Sequence, residues 1–244
     1  MTPSNIIEAA TLDLRALDPA FAQMGAATVA QADSVSELTD REKVFLQITA
    51  DVCQQALGLP FELHVRAGLK RGVSTADIRA LLRLISYDSG YHAALGAFER
   101  LAEIEAALGL PRPDVATLDD ELLSTGPDAP ASPLPESVRA TLAELDPHFA
   151  EFFDLQSRMR LPSGPGTLTV RERAFATMSV DVHYQTLRDT FRIHIERALG
   201  AGATLSDVRG VLRYTAQFGA TRMWHAWQAF HAHAAEAGWT DRAR

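Results

Sequence analysis

The chain carries the same sequence pattern twice, 130 residues apart. Residues 41–83 align with residues 171–213 without a gap, and a shorter echo precedes each copy, at 17–24 and 145–152. The positions that are identical in the two copies include Arg41/Arg171, Glu42/Glu172, Phe45/Phe175, Asp51/Asp181, Gln55/Gln185, Phe61/Phe191, His64/His194, Gly72/Gly202, Asp77/Asp207, Arg79/Arg209 and Arg83/Arg213. Such a repeat predicts one structural unit built twice, so a functional site is either present in both copies or degraded in one.

Composition narrows the class of protein. The 244 residues suit two units of about 120 residues each, and a hydrophobic content of 47% is ample for a packed core. The formal net charge of −8 argues against non-specific nucleic-acid binding, which needs a basic surface. No apolar run approaches the roughly 20 residues of a membrane span, and the N-terminus lacks a signal peptide's basic segment. We therefore expect a cytoplasmic protein that binds neither nucleic acid nor membrane.

The first two helices of each copy have recognisable start signals. Thr39–Glu42 and Thr169–Glu172 both have the Ser/Thr-x-x-Glu spacing of a capping box, which predicts helix starts near residues 40 and 170. Apolar residues follow at helical spacing to about Ala56. Pro60 then suits the first turn of a shorter helix that carries His64.

A longer third helix is expected in each copy. Ser74–Asp77 and Thr204–Asp207 resemble capping boxes, and the helices that they start are predicted to reach about Leu108 and about Ala237. No alternating run of β-branched residues bounded by turns occurs, so no strand is predicted. The predicted fold class is all-α, with two tandem helical repeats related by pseudo-two-fold symmetry.

Prolines mark the boundary between the copies. Residues 109–135 contain Pro111, Pro113, Pro127, Pro130, Pro133 and Pro135. We therefore expect a first repeat over 1–110, a proline-rich linker over 111–135 and a second, diverged repeat over 136–244. A short helical piece is predicted at 118–123 inside the linker. A second loop is predicted at 161–167, inside the second copy.

A short pattern surrounds the histidine of the first copy. It consists of His64, the turn Arg71–Ser74, Asp77, Ile78, Tyr87, Gly90 and Ala94. These residues resemble the carboxymuconolactone decarboxylase family, which also contains the alkylhydroperoxidase D-like thiol enzymes. The second copy keeps His194 but has Gln217 in place of Tyr87 and Ala220 in place of Gly90. The resemblance implies an all-helical, alkylhydroperoxidase D-like fold that forms homo-oligomers, with the trimer favoured for a tandem repeat, and sites near interfaces.

The thiol chemistry of that family is absent from the sequence. Leu57 and Pro60 stand where the resemblance would place the two cysteines of a CxxC motif, and the second copy has Leu187 and Thr190 there. The single cysteine, Cys53, lies on the preceding helix, so no paired thiol can resolve a sulfenic acid. We therefore expect Cys53 to be a small core residue and the chain not to be a CxxC peroxidase.

Four residues are candidates for catalysis. His64 is the first candidate, because an imidazole exchanges a proton near neutral pH, and His194 is its counterpart. A packed histidine with satisfied ring nitrogens is the alternative interpretation of both. Tyr87 is a candidate hydrogen-bond donor to a developing oxyanion, a role that Tyr91 could also fill. Asp51 would orient the imidazole if it lies close to His64.

The mid-helix aspartates have another interpretation. Aspartate is a poor helix former, so Asp51 and Asp181 each suggest a partner. The structural alternative is an ion pair that orients helices, with Arg79 or Arg83 in the first copy. The counterparts in the second copy are Arg209 and Arg213.

Aromatic residues and one arginine are the candidates for substrate binding. Tyr91 lies one helical turn beyond Tyr87, while Trp224 and Trp227 occupy the diverged end of the second copy. Arg83, if it lies in a pocket, would bind a substrate carboxylate. The nearby histidines 225, 231 and 233 spread around a helix, so we predict no metal.

Two functions remain open at this point. The first is a cofactor-independent lyase, or an isomerase or cyclase, of the carboxymuconolactone decarboxylase type. It would act on a small organic acid, a lactone or an enolisable aromatic intermediate, in a catabolic or natural-product pathway. The second is a non-catalytic helical oligomer that binds a small molecule or a partner protein.

Overall fold

The computed structural model describes residues 14–126, 128–160 and 168–240, and these residues form helices without any strand. The predicted all-α class is confirmed. No helix in these three ranges is long and apolar enough to cross a membrane. In chain order the helices are α1 (Leu14–Leu17), α2 (Pro19–Asp33), α3 (Asp40–Cys53), α4 (Leu59–Lys70), α5 (Thr75–Ser89), α6 (Tyr91–Ala107), α7 (Asp120–Leu123), α8 (Glu136–Leu145), α9 (Pro147–Met159), α10 (Val170–Tyr184), α11 (Asp189–Gly200), α12 (Leu205–Thr215), a 3₁₀ turn (Ala216–Phe218) and α13 (Ala220–Ala237).

The predicted helix starts are confirmed. The hydroxyl of Thr39 accepts the Glu42 backbone N–H at 3.2 Å, and the Glu42 carboxylate accepts the Thr39 N–H at 2.8 Å. The same reciprocal bonds occur at Thr169 and Glu172, so α3 and α10 both begin on a complete capping box. Helices α5 and α12 begin in the same way. Helix α3 ends at Cys53, slightly before the predicted end near Ala56.

The prediction of one long third helix per copy is wrong. The first copy breaks at Gly90, which has φ +87° and separates α5 from α6. The second copy breaks at Gly219, which has φ +152° and follows the 3₁₀ turn. A residue with positive φ cannot continue a right-handed helix, so the chain changes direction at nearly the same place in both copies, Gly219 being aligned with the residue before Gly90.

The segment between the copies contains little helix. The four-residue helix α7 lies inside the predicted 118–123 piece, and the rest of 111–135 has no regular structure among the described residues. The guanidinium of Arg158 on α9 donates to the carbonyl of Ser124 at 2.6 Å, which ties the linker to the second copy's leading helix. The loop predicted at 161–167 lies outside the described residues.

The two copies contribute to each other's core. Leu46 of α3 is fully buried in the cluster that is formed mainly by α10–α13. Conversely, Ala176 and Val180 of α10 are buried among residues of α3–α6. Because α3 and α10 each place apolar side chains in both clusters, burial stabilises the contact between the copies as well as each copy.

Polar contacts between α3 and α10 are reciprocal. Arg41 Nε donates to Glu172 at 2.6 Å, and Arg171 Nε donates to Glu42 at 2.6 Å. Both contacts join the N-terminal ends of the two helices. At the C-terminal ends, the Cys53 thiol and the Tyr184 phenol are close enough to affect each other's pKa. The two helices therefore lie side by side and run in the same direction.

Candidate active site

Each copy contains an aspartate–histidine pair. Asp51 Oδ2 on α3 lies 2.6 Å from His64 Nδ1 on α4, and Asp181 Oδ2 on α10 lies 2.6 Å from His194 Nδ1 on α11. A carboxylate only accepts hydrogen bonds, so Nδ1 carries the hydrogen in both pairs. The other ring nitrogen, Nε2, is then the one that exchanges protons.

The partner of each mid-helix aspartate is thus a histidine, and the arginines that were expected as partners make other contacts. Arg79 Nε donates to Glu105 at 3.0 Å, and Arg213 pairs with Glu37. The guanidinium of Arg209 lies over the Phe230 ring at 5.7 Å. Arg83, the candidate carboxylate binder, has a buried Nη2 without a hydrogen-bond partner among the described residues, and burial lowers its pKa. The prediction that an arginine pairs with Asp51 is wrong.

The two pairs differ in exposure and in hydrogen bonding. The side chain of His64 is 23% exposed, whereas that of His194 is 5% exposed. The second oxygen of Asp181 accepts the Thr186 hydroxyl at 2.7 Å, and the equivalent position of the first copy is Ala56. Burial raises the pKa of Asp51, and its hydrogen bond with His64 acts in the opposite direction. The first pair is therefore the more accessible one.

The second copy completes the surroundings of His64. The Phe218 ring in the 3₁₀ turn meets the imidazole edge-on, with centroids 6.4 Å apart. The amide of Gln54 donates to the Phe218 carbonyl at 3.2 Å, which holds that turn against the end of α3. His183 on α10 lies on Phe218 as well, with ring centroids 6.2 Å apart. This site is thus made from both repeats.

Tyr87 packs against helix α9 of the second copy. Its hydroxyl is 3.3 Å from Ser157 Oγ, and its ring packs edge-on against Phe153, both on α9. The Arg160 guanidinium covers the same ring at 4.8 Å, and the charge of Arg197, on the helix of His194, acts on the phenol. No contact between described residues joins Tyr87 to His64. Burial raises the pKa of Tyr87.

Asp88, next to Tyr87, also contacts the second copy. Its carboxylate accepts Arg160 Nη2 at 2.9 Å, and the charges of His194 and Asp181 act on it. Burial raises the pKa of Asp88, while Arg160 opposes that rise. The end of α5 is therefore tied to the end of α9 by an ion pair and is close enough to the second pair for their charges to interact. Sequence reasoning grouped Tyr87 with His64 because both are in the first copy, and it did not predict the contacts that Tyr87 and Asp88 make with the second copy.

The aromatic candidates for substrate binding lie away from both pairs. Trp224 is 68% exposed and, with Trp227, lines an open groove of about 730 Å³ along α13. Ala216, Ala220, Met223, Gln228 and His231 complete its lining, so neither His64 nor His194 contributes to it. Tyr91 begins α6 and is half exposed.

The remaining histidines and the cysteine have separate environments. His225 Nδ1 lies 2.9 Å from the Gln185 amide oxygen, His233 Nε2 lies 2.9 Å from the Leu187 carbonyl, and His231 stacks on Trp227. The part of the chain that the structure describes has no group of three histidine, cysteine or acidic side chains arranged for a metal. Burial raises the pKa of Cys53 to about 12, so its thiol is protonated at neutral pH.

Three residues of the site were missed by sequence reasoning. His183, Asp88 and Phe218 have no identical counterpart in the other copy, so they were absent from the list of shared positions. The available signal was a difference between the copies: His183 is aligned with Cys53, and Asp88 with Phe218, so the chemistry of the two copies diverges at these positions.

The fold and the paired helices define an all-helical protein of the carboxymuconolactone decarboxylase type of fold. The chain is similar to the crystal structure of a protein from Burkholderia xenovorans LB400 that is provisionally assigned as a gamma-carboxymuconolactone decarboxylase subunit. The two share 21% sequence identity and a TM-score of 0.52, over 92% of this chain and 89% of that one. No protein-family model and no curated protein matches the chain. The similarity confirms the fold that the resemblance implied.

Proposed function

We propose that this chain is a cofactor-independent lyase-type enzyme of the carboxymuconolactone decarboxylase kind. Its substrate would be a small organic acid, a lactone or an enolisable aromatic compound. The observation that carries the proposal is the 2.6 Å contact between Asp51 and a partly exposed His64. Such a pair fixes the tautomer of the imidazole and stabilises its protonated form, as proton-transfer catalysis requires. The provisional decarboxylase assignment of the fold neighbour supports this class of reaction.

Decarboxylation needs a group that donates a proton to the substrate's α carbon. A carboxylate β to a carbonyl leaves as CO₂, and the electron pair of the broken C–C bond passes into the carbonyl to form an enolate. The imidazolium of His64 then gives its Nε2 proton to the α carbon, and the carbonyl re-forms. Asp51 holds Nδ1–H throughout and offsets the positive charge of the imidazolium.

The oxyanion donor is assigned differently from the sequence prediction. Tyr87 packs against α9 of the second copy, and the charges of His194 and Asp181 act on the adjacent Asp88, so we propose that its phenol serves the second pair. The second pair then has a hydrogen-bond donor and a buried imidazole, whereas the first has an accessible imidazole beneath Phe218. We propose that the first pair carries the main activity, because a proton donor must reach its substrate.

A substrate panel tests the proposal. The panel contains β-keto acids, carboxylated γ-lactones and enolisable aryl ketones, and the readouts are CO₂ release and deuterium incorporation from D₂O. We expect His64→Gln to lower turnover at least about 100-fold, because positioned proton transfer contributes about that much. His92→Gln, which alters an exposed histidine on α6, is the matched control and should leave turnover unchanged.

Equal turnover by wild type and His64→Gln, with unchanged circular dichroism, would remove His64 from the mechanism.

The groove along α13 supports the alternative, a small-molecule binding protein without catalysis, because its lining is mainly apolar and includes the exposed Trp224. Wild-type protein that turns over no member of the panel but binds one at this groove, with loss of binding in Trp224→Ser, would favour that alternative.

A further inference from the structure

His183 is a buried histidine that belongs to neither aspartate–histidine pair. It lies near the C-terminal end of α10 and is only 8% exposed. Its Nδ1 is 2.7 Å from the carbonyl oxygen of Ser179, one helical turn earlier. A carbonyl oxygen only accepts hydrogen bonds, so Nδ1 carries the ring hydrogen. The tautomer of His183 is thereby fixed, and Nε2 presents a lone pair.

That lone pair is left without a donor. Nε2 of His183 is buried and has no hydrogen-bond partner in the described ranges. Burial lowers the pKa of His183, and the charge of Arg222 acts in the same direction, so the ring stays neutral and Nε2 remains an acceptor. An unpaired buried acceptor costs free energy, which a donor brought by a ligand would recover.

The position of this acceptor links it to His64. The Phe218 ring contacts both imidazoles, with centroids 6.2 Å from His183 and 6.4 Å from His64. Phe218 is half-buried and ends a 3₁₀ turn directly before Gly219, so its ring stands at the boundary between the solvent and the interior. A ring-sized ligand that moves the Phe218 side chain aside would meet His64 on one side and His183 on the other.

We propose that His183 Nε2 is a substrate-binding acceptor in the His64 site, and that it selects ligands carrying a neutral hydroxyl group. A neutral imidazole acceptor pairs with an O–H donor and gains nothing from a methoxy group or a carboxylate. The site would therefore take an enolisable ring compound with a phenolic or enolic hydroxyl. The location of the ligand rests on the proposed function, whereas the hydroxyl preference is measured without turnover.

The repeat supplies a matched variant. The residue aligned with His183 is Cys53, whose thiol occupies the equivalent place at the end of α3. His183→Cys therefore introduces a side chain that this fold already accommodates at the corresponding position, and it removes the imidazole acceptor. His183→Gln is a second variant, because its amide oxygen keeps an acceptor on a side chain of similar length.

The test compares 4-hydroxyacetophenone with 4-methoxyacetophenone, with binding measured by calorimetry. Wild type should prefer the hydroxyl compound about tenfold, the usual effect of one hydrogen bond to a buried acceptor. His183→Cys should bind both compounds alike, and His183→Gln should keep part of the preference. In long-range ¹H–¹⁵N spectra the Nε2 signal of His183 should move with the hydroxyl compound and stay unchanged with the methoxy compound.

An unchanged preference in His183→Cys, equal binding of the two probes by wild type, or binding of neither probe overturns the proposal. The proposed function is tested by a separate measurement. Exchange of the methyl protons of either probe in D₂O reports on His64, and His64→Gln should abolish it without altering the hydroxyl preference. If wild type prefers the hydroxyl compound but exchanges no methyl protons, the lyase assignment is wrong and the proposed role of His183 is supported.

Discussion

At the scale of single residues, the candidate catalytic residues were easier to predict from the sequence than the residues that they contact. The sequence identified Asp51 and His64 from residue type and repetition, but offered an arginine as the partner of the aspartate as readily as the histidine. Both alternatives satisfied the rule that a mid-helix aspartate needs a partner. Only the packing of α4 against the end of α3 brings Nδ1 of His64 to 2.6 Å from Asp51.

The aspartate itself is open to a direct test. Asp51→Asn keeps the shape of the side chain but replaces the accepting oxygen that holds Nδ1–H with an amide that does not fix the tautomer. We expect turnover of the best panel substrate to fall by about 100-fold or more, with little change in KM, because the loss affects the protonated imidazole. Steady-state kinetics measure it, and ¹⁵N spectra report the tautomer of His64.

Asp181→Asn is the matched control, since it makes the same change in the buried second pair. If it lowers turnover as much as Asp51→Asn does, the main activity belongs to both pairs and not to the first alone.

At the scale of secondary-structure elements, the starts of helices were predictable and their breaks were not. A capping box consists of residues three positions apart, so a local signal is enough to locate it. The break at Gly90 gives no such signal, because the apolar spacing continues on both sides and one glycine is tolerated inside a helix. What requires the break is long-range: α6 packs back against α3 and α4.

The positive φ of Gly90 gives a prediction for this break between α5 and α6. Gly90 has φ +87° and ψ 143°, a conformation that L residues adopt only at a cost. A Cβ there would meet no atom within 4 Å, so the cost of Gly90→Ala is conformational and should be about 2 kcal/mol. Urea unfolding would measure it.

Gly58→Ala is the control for this substitution. Gly58 also has open space around an added Cβ, with φ −78° and ψ −126°. Its counterpart Arg188 adopts nearly the same conformation, φ −91° and ψ −119°, so the position accepts an L residue and the change in unfolding free energy should stay within about 0.5 kcal/mol. Equal losses at the two positions would show that backbone conformation is not what makes glycine necessary at Gly90.

At the scale of the whole molecule, the repeat predicted two units but not how they join. Glu42 and Glu172 were fully explained by their capping boxes, which left no reason to look for further partners. The structure adds one: each glutamate also accepts the arginine that precedes its counterpart in the other copy. A capping-box pattern predicts the contacts of a side chain within its own helix, but it does not predict contacts with residues about 130 positions away.

This junction yields the last prediction. The Glu42 side chain is only 4% exposed, and Arg171 also pairs with Asp207, so Arg171→Met leaves two largely buried carboxylates without this partner and should lower the free energy of unfolding by about 3 kcal/mol. The double variant Arg171→Met with Glu42→Gln should recover part of that loss, because it removes the charge as well. Arg139→Met, which breaks exposed pairs with Glu136 and Asp154, should cost less than about 1 kcal/mol. Losses of equal size for Arg171→Met and Arg139→Met in urea unfolding would mean that the reciprocal ion pairs do not stabilise the junction between the copies.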